Sequence, residues 1–294
     1  MIRPDRMASV FFFWPLTRLM NFGAETKVPI LMYHSVSNNL FGKSHPYYQI
    51  NTSPKLFEQQ MRALRDAGYK TVDPGDCVGD TLRKQAGQKI VSITFDDGYR
   101  DFYTDAFPVL RKFGFTATIY LATSRIKNSA EIYEGVEYLS WNEVREMRAA
   151  GIQFGSHTVT HPDMRSLSPE QIEYELGCSK ETMESQLGER VTSFAYPYAF
   201  PEEDKNFVRY LRDALENQGY ENGVTTILGR ASAQCDPLFL PRLPANSWDD
   251  PSFFRAKLEG GYDWLHWPQW LYKTMHHHMT QMQQASQVER RETE

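Results

Sequence analysis

Short apolar runs alternate with amphipathic segments along most of this chain, and the alternation restricts the folds that it can adopt. Between the apolar runs, hydrophobic residues repeat at helical spacing, as at Phe57, Met61 and Leu64. Strands separated by helices pair in parallel, with the helices packed outside the sheet. The sequence therefore predicts an α/β fold whose parallel sheet is open or closed into a barrel. Strands are predicted at residues 28–33, 90–95, 117–121, 152–155, 191–196 and 223–228.

Helix capping signals support the same alternation. Ser53 is followed by a proline at the first helical position, a common helix start. Ser140 and Ser168 each stand three residues before a glutamate or glutamine, which is the capping-box pattern. These signals predict helices that begin just after each of the three serines. Helices are also predicted around residues 107–110 and 207–217.

Composition and charge exclude some classes of protein. Of the 294 residues, 41% are hydrophobic and 23% are charged, as in soluble proteins that bury a core. The net charge of -5 argues against a nucleic-acid partner, which requires a basic face. The three cysteines are far apart, and their odd number suits a reducing compartment. We therefore predict a cytoplasmic protein, with association at the inner membrane surface as an added possibility.

Residues 1–27 form an aromatic segment ahead of the main domain. The run Val-Phe-Phe-Phe-Trp at 10–14 is too short to cross a bilayer, which takes about 20 apolar residues. A following proline and the lack of a small-residue cleavage site argue against a signal peptide. Either this segment packs on the domain, or residues 10–16 contact a membrane peripherally. The domain itself is predicted over 28–272, and residues 273–294 form a polar tail.

Adjacent carboxylates follow the second predicted strand, in Thr94-Phe95-Asp96-Asp97-Gly98. Two carboxylates at the end of an apolar strand are costly to place unless they serve a purpose. In a turn after the strand they can face one site with different roles, and Gly98 permits such a turn. Taken alone, Asp-Asp-Gly is also an ordinary surface turn.

Two histidines, His157 and His161, lie four residues apart after the fourth predicted strand. Histidines at this spacing can bind one cation through imidazole nitrogens. With an aspartate from another strand end they form a two-histidine, one-carboxylate set, which leaves positions open for water and substrate. Such a set suits Zn²⁺ and also accepts Co²⁺, Ni²⁺ or Mn²⁺.

A third segment, Tyr196-Pro197-Tyr198, follows the fifth predicted strand. A proline–tyrosine turn can aim a backbone N–H outward as an oxyanion donor. The same aromatic loop can equally plug the mouth of a barrel. All three segments follow strands, which is where barrel enzymes place their active sites.

In this order, the three segments resemble the polysaccharide deacetylase family, also called the NodB-homology group or carbohydrate esterase family four. The family motif T-F-D-D-G is found at 94–98, H-[ST]-x-x-H at 157–161, and the Pro-Tyr loop at 197–198. Leu-Met-Tyr-His at 31–34 resembles the opening segment of one subgroup. The resemblance covers roughly residues 28 to 265. It implies a single-domain, distorted (β/α) barrel of the NodB-homology type, circularly permuted in this subgroup.

The resemblance also implies roles for individual residues. Asp97, His157 and His161 become the ligands of Zn²⁺ or another divalent transition metal, and Asp96 becomes the general base. The backbone N–H of Tyr198 would stabilise the oxyanion that forms during hydrolysis.

Two histidines are candidates for the general acid that protonates the leaving amine. The family commonly uses a histidine in an L-x-H motif near the C-terminus, and His266 in Trp264-Leu265-His266 fits it loosely. In the subgroup with the L-M-Y-H opening, that strand is moved to the front of the chain. We therefore favour His34 over His266.

The chain also departs from the family pattern. Many members have an arginine at the position of Ala195, where it orients the base. Arg242 follows another strand-like run and is a candidate to supply that charge. Arg242 is also assigned to substrate binding, together with Pro197 and Trp248, since tryptophan stacks on sugar rings. Asp101, near the first motif, is expected to be solvated.

The sequence therefore predicts a metal-dependent hydrolase that removes the N-acetyl group from amino sugars of a polysaccharide or glycan precursor. Its partner is an N-acetylated glycan or a lipid-linked sugar, and no nucleic acid is expected. The alternatives are an O-deacetylase or deformylase acting on a lipid-linked sugar, and a glycan-binding pseudoenzyme. The run His276-His277-His278 lies in the polar tail and is assigned no role.

Overall fold

The computed structural model describes residues 3–20, 26–38, 50–133 and 135–275. The strands are β1 Lys27–Val28, β2 Ile30–Tyr33, β3 Ser35–Val36, β4 Asn51–Thr52, β5 Lys70–Thr71, β6 Ile90–Phe95, β7 Thr118–Leu121, β8 Ile132–Tyr133, β9 Val136–Glu137, β10 Gln153–Ser156, β11 Ser193–Ala195, β12 Asn222–Leu228, β13 Ala231–Ser232 and β14 Leu240–Pro244. The α-helices are α1 Pro4–Ala8, α2 Trp14–Met20, α3 Pro54–Asp66, α4 Gly79–Lys84, α5 Phe107–Phe113, α6 Trp141–Ala149, α7 Pro169–Leu187, α8 Lys205–Asn217, α9 Pro251–Leu258 and α10, residues 266–275. A π-helical turn, Ser9–Phe13, joins α1 to α2.

Seven parallel strands close into a barrel. Their order around the ring is β2, β14, β12, β11, β10, β7 and β6, and β6 pairs back with β2. The short strand β5 pairs with the first two residues of β6, outside this ring. Closure satisfies the backbone groups at both edges of the sheet. The predicted barrel is thereby confirmed, whereas the circular permutation stays an interpretation.

The local signals in the sequence explain where the elements begin. Ser140 and Ser168 form complete capping boxes, in which the serine side chain and the third helical residue each bond the other's backbone. Ser53 caps α3 through a bond from the backbone N–H of Leu56. All six residues of β6 are buried, as expected of a strand that has the barrel interior on one side and helices on the other.

The last helix, α10, covers the irregular part of β12. The register of β12 against β14 shifts between Val224 and Leu228, so that part of β12 bulges from the ladder. The side chain of Gln269 in α10 accepts from the N–H of Leu228 and donates to the carbonyl of Thr226, each at 2.9 Å. These two bonds satisfy backbone groups that the bulge removes from the ladder.

The N-terminal helical segment packs on the C-terminal part of the domain. The ring of Phe13 stacks on Trp264 with centroids 4.7 Å apart, and the Trp264 indole N–H donates to Ser9 Oγ at 3.0 Å. Trp14 Nε1 donates to Glu259 at 2.8 Å. On the opposite side, Phe11 is 69% exposed. The prediction that this segment packs on the domain is therefore correct for one side of the segment. The other side is an exposed apolar surface. No helix of the described residues has the length and apolar character needed to span a membrane.

Candidate functional site

The carboxyl ends of the barrel strands surround a cavity of about 380 Å³. Because the strands are parallel, the loops that follow β2, β6, β10 and β11 all lie at this end of the barrel. The sequence motifs are on these loops. The cavity is lined by residues of all of them, among others His34, Asp96, Asp97, His157, His161 and Tyr198.

Asp97, His157 and His161 form a compact group of possible metal ligands. Asp97 Oδ1 lies 3.3 Å from His161 Nε2 and 3.6 Å from His157 Nε2, and one ligand atom from each residue lies within 4.8 Å of the others. Asp97 Oδ1 is buried and has no hydrogen-bond partner among the described residues. A buried, unpaired carboxylate oxygen is costly unless a cation shares it. Two imidazoles and one carboxylate around this point fit a divalent transition metal.

Both histidines are held in the form that a metal ligand requires. Burial lowers the pKa of His161 to about 4, and burial likewise lowers the pKa of His157 even though Asp96 and Asp97 are close. Both rings are therefore neutral near pH 7. His157 Nδ1 lies 2.7 Å from the carbonyl oxygen of Ala195, which assigns the proton to Nδ1 and leaves the Nε2 lone pair facing Asp97.

The backbone around this group is strained. Four non-glycine residues of the described chain have a positive φ, and each such residue costs about 1–3 kcal/mol. They are Asp97 at 72°, Thr158 at 70°, His161 at 60° and Tyr198 at 57°. Three of them line the cavity and the fourth adjoins His157. Strain concentrated in this way is typical of a functional site.

The two turns that carry the candidate metal ligands are fixed by contacts with their surroundings. Gly98 has φ 75°, a backbone conformation that favours glycine, and a Cβ there would lie 2.8 Å from the side chain of Leu121, so the first turn suits glycine best. Glu175 in α7 accepts from the N–H groups of Val159 and Thr160, at 2.7 and 2.9 Å. Glu175 was not predicted as a site residue, because it lies in α7 outside every motif.

Asp96 is locked in place by Arg242. The guanidinium donates to both Asp96 oxygens at 2.7 and 2.8 Å, and also to the carbonyl of Thr225 at 2.9 Å. Burial alone would raise the pKa of Asp96, but the charge of Arg242 and its hydrogen bonds lower that pKa well below the usual range. The Arg242 side chain is fully buried, which does not suit the predicted contact with substrate. We propose instead that Arg242 acts through Asp96. Ala195 contributes its carbonyl to His157.

The two candidates for the general acid lie in different places. His34 lines the same cavity as Asp96, and its Nε2 is 4.0 Å from Asp96 Oδ2. His266 lines a separate cavity with Trp264 and Trp267. The placement favours His34.

Of the remaining predicted site residues, Tyr198 lines the cavity. Tyr198 is 57% exposed, and its ring centroid lies 4.6 Å from that of His161. Pro197 and Trp248 are not among the described residues that line the cavity, and their contact with substrate stays a prediction.

The expectation that Asp101 is solvated is wrong. Asp101 is half-buried with its Oδ1 shielded from solvent, it accepts a hydrogen bond from Ser35 Oγ next to His34, and burial raises its pKa.

Comparison with known proteins identifies the family. Residues 83–223 match the sequence model of the polysaccharide deacetylase family. The chain is also 35% identical over 237 residues to YxkH of Bacillus subtilis (strain 168), a protein named as a polysaccharide deacetylase. That alignment covers 79% of this chain and 76% of YxkH. The chain belongs to the polysaccharide deacetylase family. The predicted family and the predicted class of enzyme are therefore confirmed.

Other members of the polysaccharide deacetylase family align over much of the chain. A Staphylococcus aureus (strain MRSA252) protein named poly-beta-1,6-N-acetyl-D-glucosamine N-deacetylase is 25% identical, over 62% of this chain and 68% of its own length. Among solved structures, the Streptococcus pyogenes deacetylase PplD in complex with acetate superposes with a TM-score of 0.65 at 28% identity. That superposition covers 80% of this chain and 99% of PplD.

Proposed function

We propose that this polysaccharide deacetylase is metal-dependent and removes the N-acetyl group from amino sugars of a glycan, with release of acetate. The observation that carries the proposal is the position of Asp97 Oδ1, which is buried, unpaired and directed at the Nε2 atoms of two neutral histidines. The N-acetylated substrate is supported by the relative named poly-beta-1,6-N-acetyl-D-glucosamine N-deacetylase. O-acetyl and formyl groups and a lipid-linked acceptor remain the alternative substrates.

Asp97, His157 and His161 would hold the metal, for which we propose Zn²⁺ or, with the same ligands, Co²⁺, Ni²⁺ or Mn²⁺. A divalent cation bound there lowers the pKa of water and polarises the acyl carbonyl. The chain's own contribution is to keep both imidazoles neutral and to orient the ring of His157 through Ala195.

The two proton transfers are assigned to two residues of the same cavity, Asp96 and His34. Asp96 stays ionised because Arg242 binds both its oxygens, so it can accept the proton of the attacking water. His34, which lines the same cavity, donates a proton to the departing amine. The backbone N–H of Tyr198 stabilises the oxyanion, and Pro197 and Trp248 contact the glycan.

Removal of the metal provides the test. We expect acetate release from N-acetylglucosamine oligomers to disappear after chelation and to return when Zn²⁺ or Co²⁺ is restored. Acetate is measured directly and metal content by elemental analysis of the same sample. Release that survives complete removal of metal would refute the proposal. A protein that binds metal tightly but releases acetate from no N-acetylated substrate would favour O-acetyl or formyl substrates, or the pseudoenzyme.

We also propose that residues 10–16 contact a membrane surface, with the enzyme on the cytoplasmic side. Phe11 and Phe12 are 69% and 63% exposed, although their neighbours pack on the domain. Changing both to serine should lower co-sedimentation with anionic phospholipid vesicles by at least tenfold, because each buried phenylalanine contributes about 1.5–3 kcal/mol. Ile132→Ser, at a residue 70% exposed on the β8–β9 hairpin, is the matched control. Equal loss in both variants, or none in either, would contradict the proposal.

A further inference from the structure

We propose that the glycan carries an anionic group, a carboxylate or a phosphate, next to the sugar that is deacetylated, and that Arg125 binds it. This inference rests on the proposed function and specifies its substrate class. Arg125 lies outside the motif segments at 31–34, 94–98, 157–161 and 197–198.

The backbone of Arg125 is fixed relative to the metal-ligand group. Arg125 ends a short 3₁₀ turn, Thr123–Arg125, that follows β7. The N–H of Thr123 donates to the carbonyl of Thr158 at 3.1 Å, and the N–H of Ser124 donates to Val159 at 2.9 Å. The turn is thus attached directly to the segment between the two histidines, so Arg125 occupies a defined position on the cavity wall.

The side chain of Arg125 faces the cavity on an aromatic support. Its guanidinium carbon lies 5.4 Å from the ring centroid of Tyr138, and Nη1 donates to the Tyr138 hydroxyl at 3.3 Å. Tyr133 and Val136 of the β8–β9 hairpin line the cavity beside it. Aromatic faces accommodate sugar rings, and a supported guanidinium offers paired N–H donors that match a carboxylate or phosphate.

The charge of Arg125 is not neutralised by the carboxylates around it. Asp96 is paired with Arg242, and Asp97 faces the two histidines. Glu137, the neighbour of Tyr138 in sequence, and Glu143 of α6 both pair with Arg100. No carboxylate of the described residues forms an ion pair with Arg125. A cation in a substrate cavity without an acidic partner of its own is suited to an anionic ligand.

The experiment compares three substrates with the full-length, metal-loaded enzyme. They are a neutral N-acetylglucosamine tetramer, an oligosaccharide in which N-acetylglucosamine alternates with glucuronic acid, and an N-acetylglucosamine oligomer bearing a phosphate monoester. We expect the wild-type enzyme to have a higher kcat/KM on at least one acidic substrate than on the neutral one. Whichever acidic substrate is preferred identifies the anion as carboxylate or phosphate.

Arg125→Met should lower the acidic-to-neutral ratio of kcat/KM by about tenfold to a hundredfold, the usual effect of losing a charge-assisted hydrogen bond. The loss should be mainly in KM. Arg125→Lys should retain part of the preference, because it keeps the charge but not the paired donors. Arg83→Met, which removes an exposed arginine of α4, is the matched control and should leave the ratio unchanged.

Two outcomes would overturn the inference while leaving the proposed function intact. One is release of acetate by the wild-type enzyme with no preference for either acidic substrate. This result does not depend on whether any variant folds. The other is an equal loss on neutral and acidic substrates in Arg125→Met, which would mean that Arg125 only packs on Tyr138. Release of acetate from none of the three substrates would instead overturn the proposed function, and this inference with it.

Discussion

Replacing Asp96 with asparagine is expected to lower acetate release by about a hundredfold to ten-thousandfold, the usual contribution of a general base, while metal binding is retained. The asparagine side chain would keep the shape of the aspartate and one acceptor oxygen for Arg242, so it should occupy the same position, although it no longer compensates the buried guanidinium and the protein should be less stable. It could not accept a proton from water. The measurement is kcat on N-acetylglucosamine oligomers together with metal content.

The roles of Asp96 and of the ligand group are separated by a second substitution. His157→Ala removes one of the three ligand atoms and should abolish both metal binding and acetate release. Asp163→Asn changes a carboxylate that pairs with Arg165 outside the cavity and serves as the matched control. Substantial activity in Asp96→Asn would contradict its assignment as the base, and loss of metal from that variant would make Asp96 a ligand instead.

Arg242→Met is expected to destabilise the protein by about 3–5 kcal/mol and to remove most of the activity. The substitution leaves Asp96 buried without its cationic partner, and an uncompensated buried charge is strongly destabilising. The side chains of Arg242 and Asp96 are 0% and 4% exposed, so solvent would compensate the remaining carboxylate only weakly. Urea unfolding measures the stability, and acetate release measures the activity.

A double variant tests whether the cost comes from Asp96. In Asp96→Asn/Arg242→Met the carboxylate is gone, so much of the stability lost in Arg242→Met should return, although the activity should not. Arg83→Met, at an exposed pair with Asp80, should change stability by less than about 0.5 kcal/mol. A loss below about 1 kcal/mol in Arg242→Met, or no recovery in the double variant, would show that Arg242 does not stabilise the base in this way.

The parts of the fold that the sequence predicted are those set by local signals. β6 occupies the predicted residues, and the capping boxes at Ser140 and Ser168 start α6 and α7 as predicted. The N-terminal segment and α10 were not predicted as helices. They are stabilised by contacts between distant parts of the chain, such as Phe13 with Trp264, and a single-sequence pattern does not show such contacts.

The candidate site was predictable to a similar extent and for a similar reason. Asp97, His157 and His161 lie in short contiguous motifs, so the sequence predicted them together as one ligand group. Arg242 was a candidate because the family pattern required a charge near the base, but its direct pairing with both Asp96 oxygens depends on the register of β14 in the barrel. Arg125 belongs to no motif, and its position on the cavity wall is what identifies it as a candidate.

The docking of the first helical segment on the end of the domain has a consequence for synthesis of the chain. Phe13 and Trp14 leave the ribosome well before their partners Trp264 and Glu259, which are among the last residues of the domain to be made. At about 5–20 residues per second, the aromatic segment stays without its packing surface for roughly 10–50 seconds. During that interval the exposed aromatic segment is available to chaperones or to a nearby bilayer before the barrel can cover it.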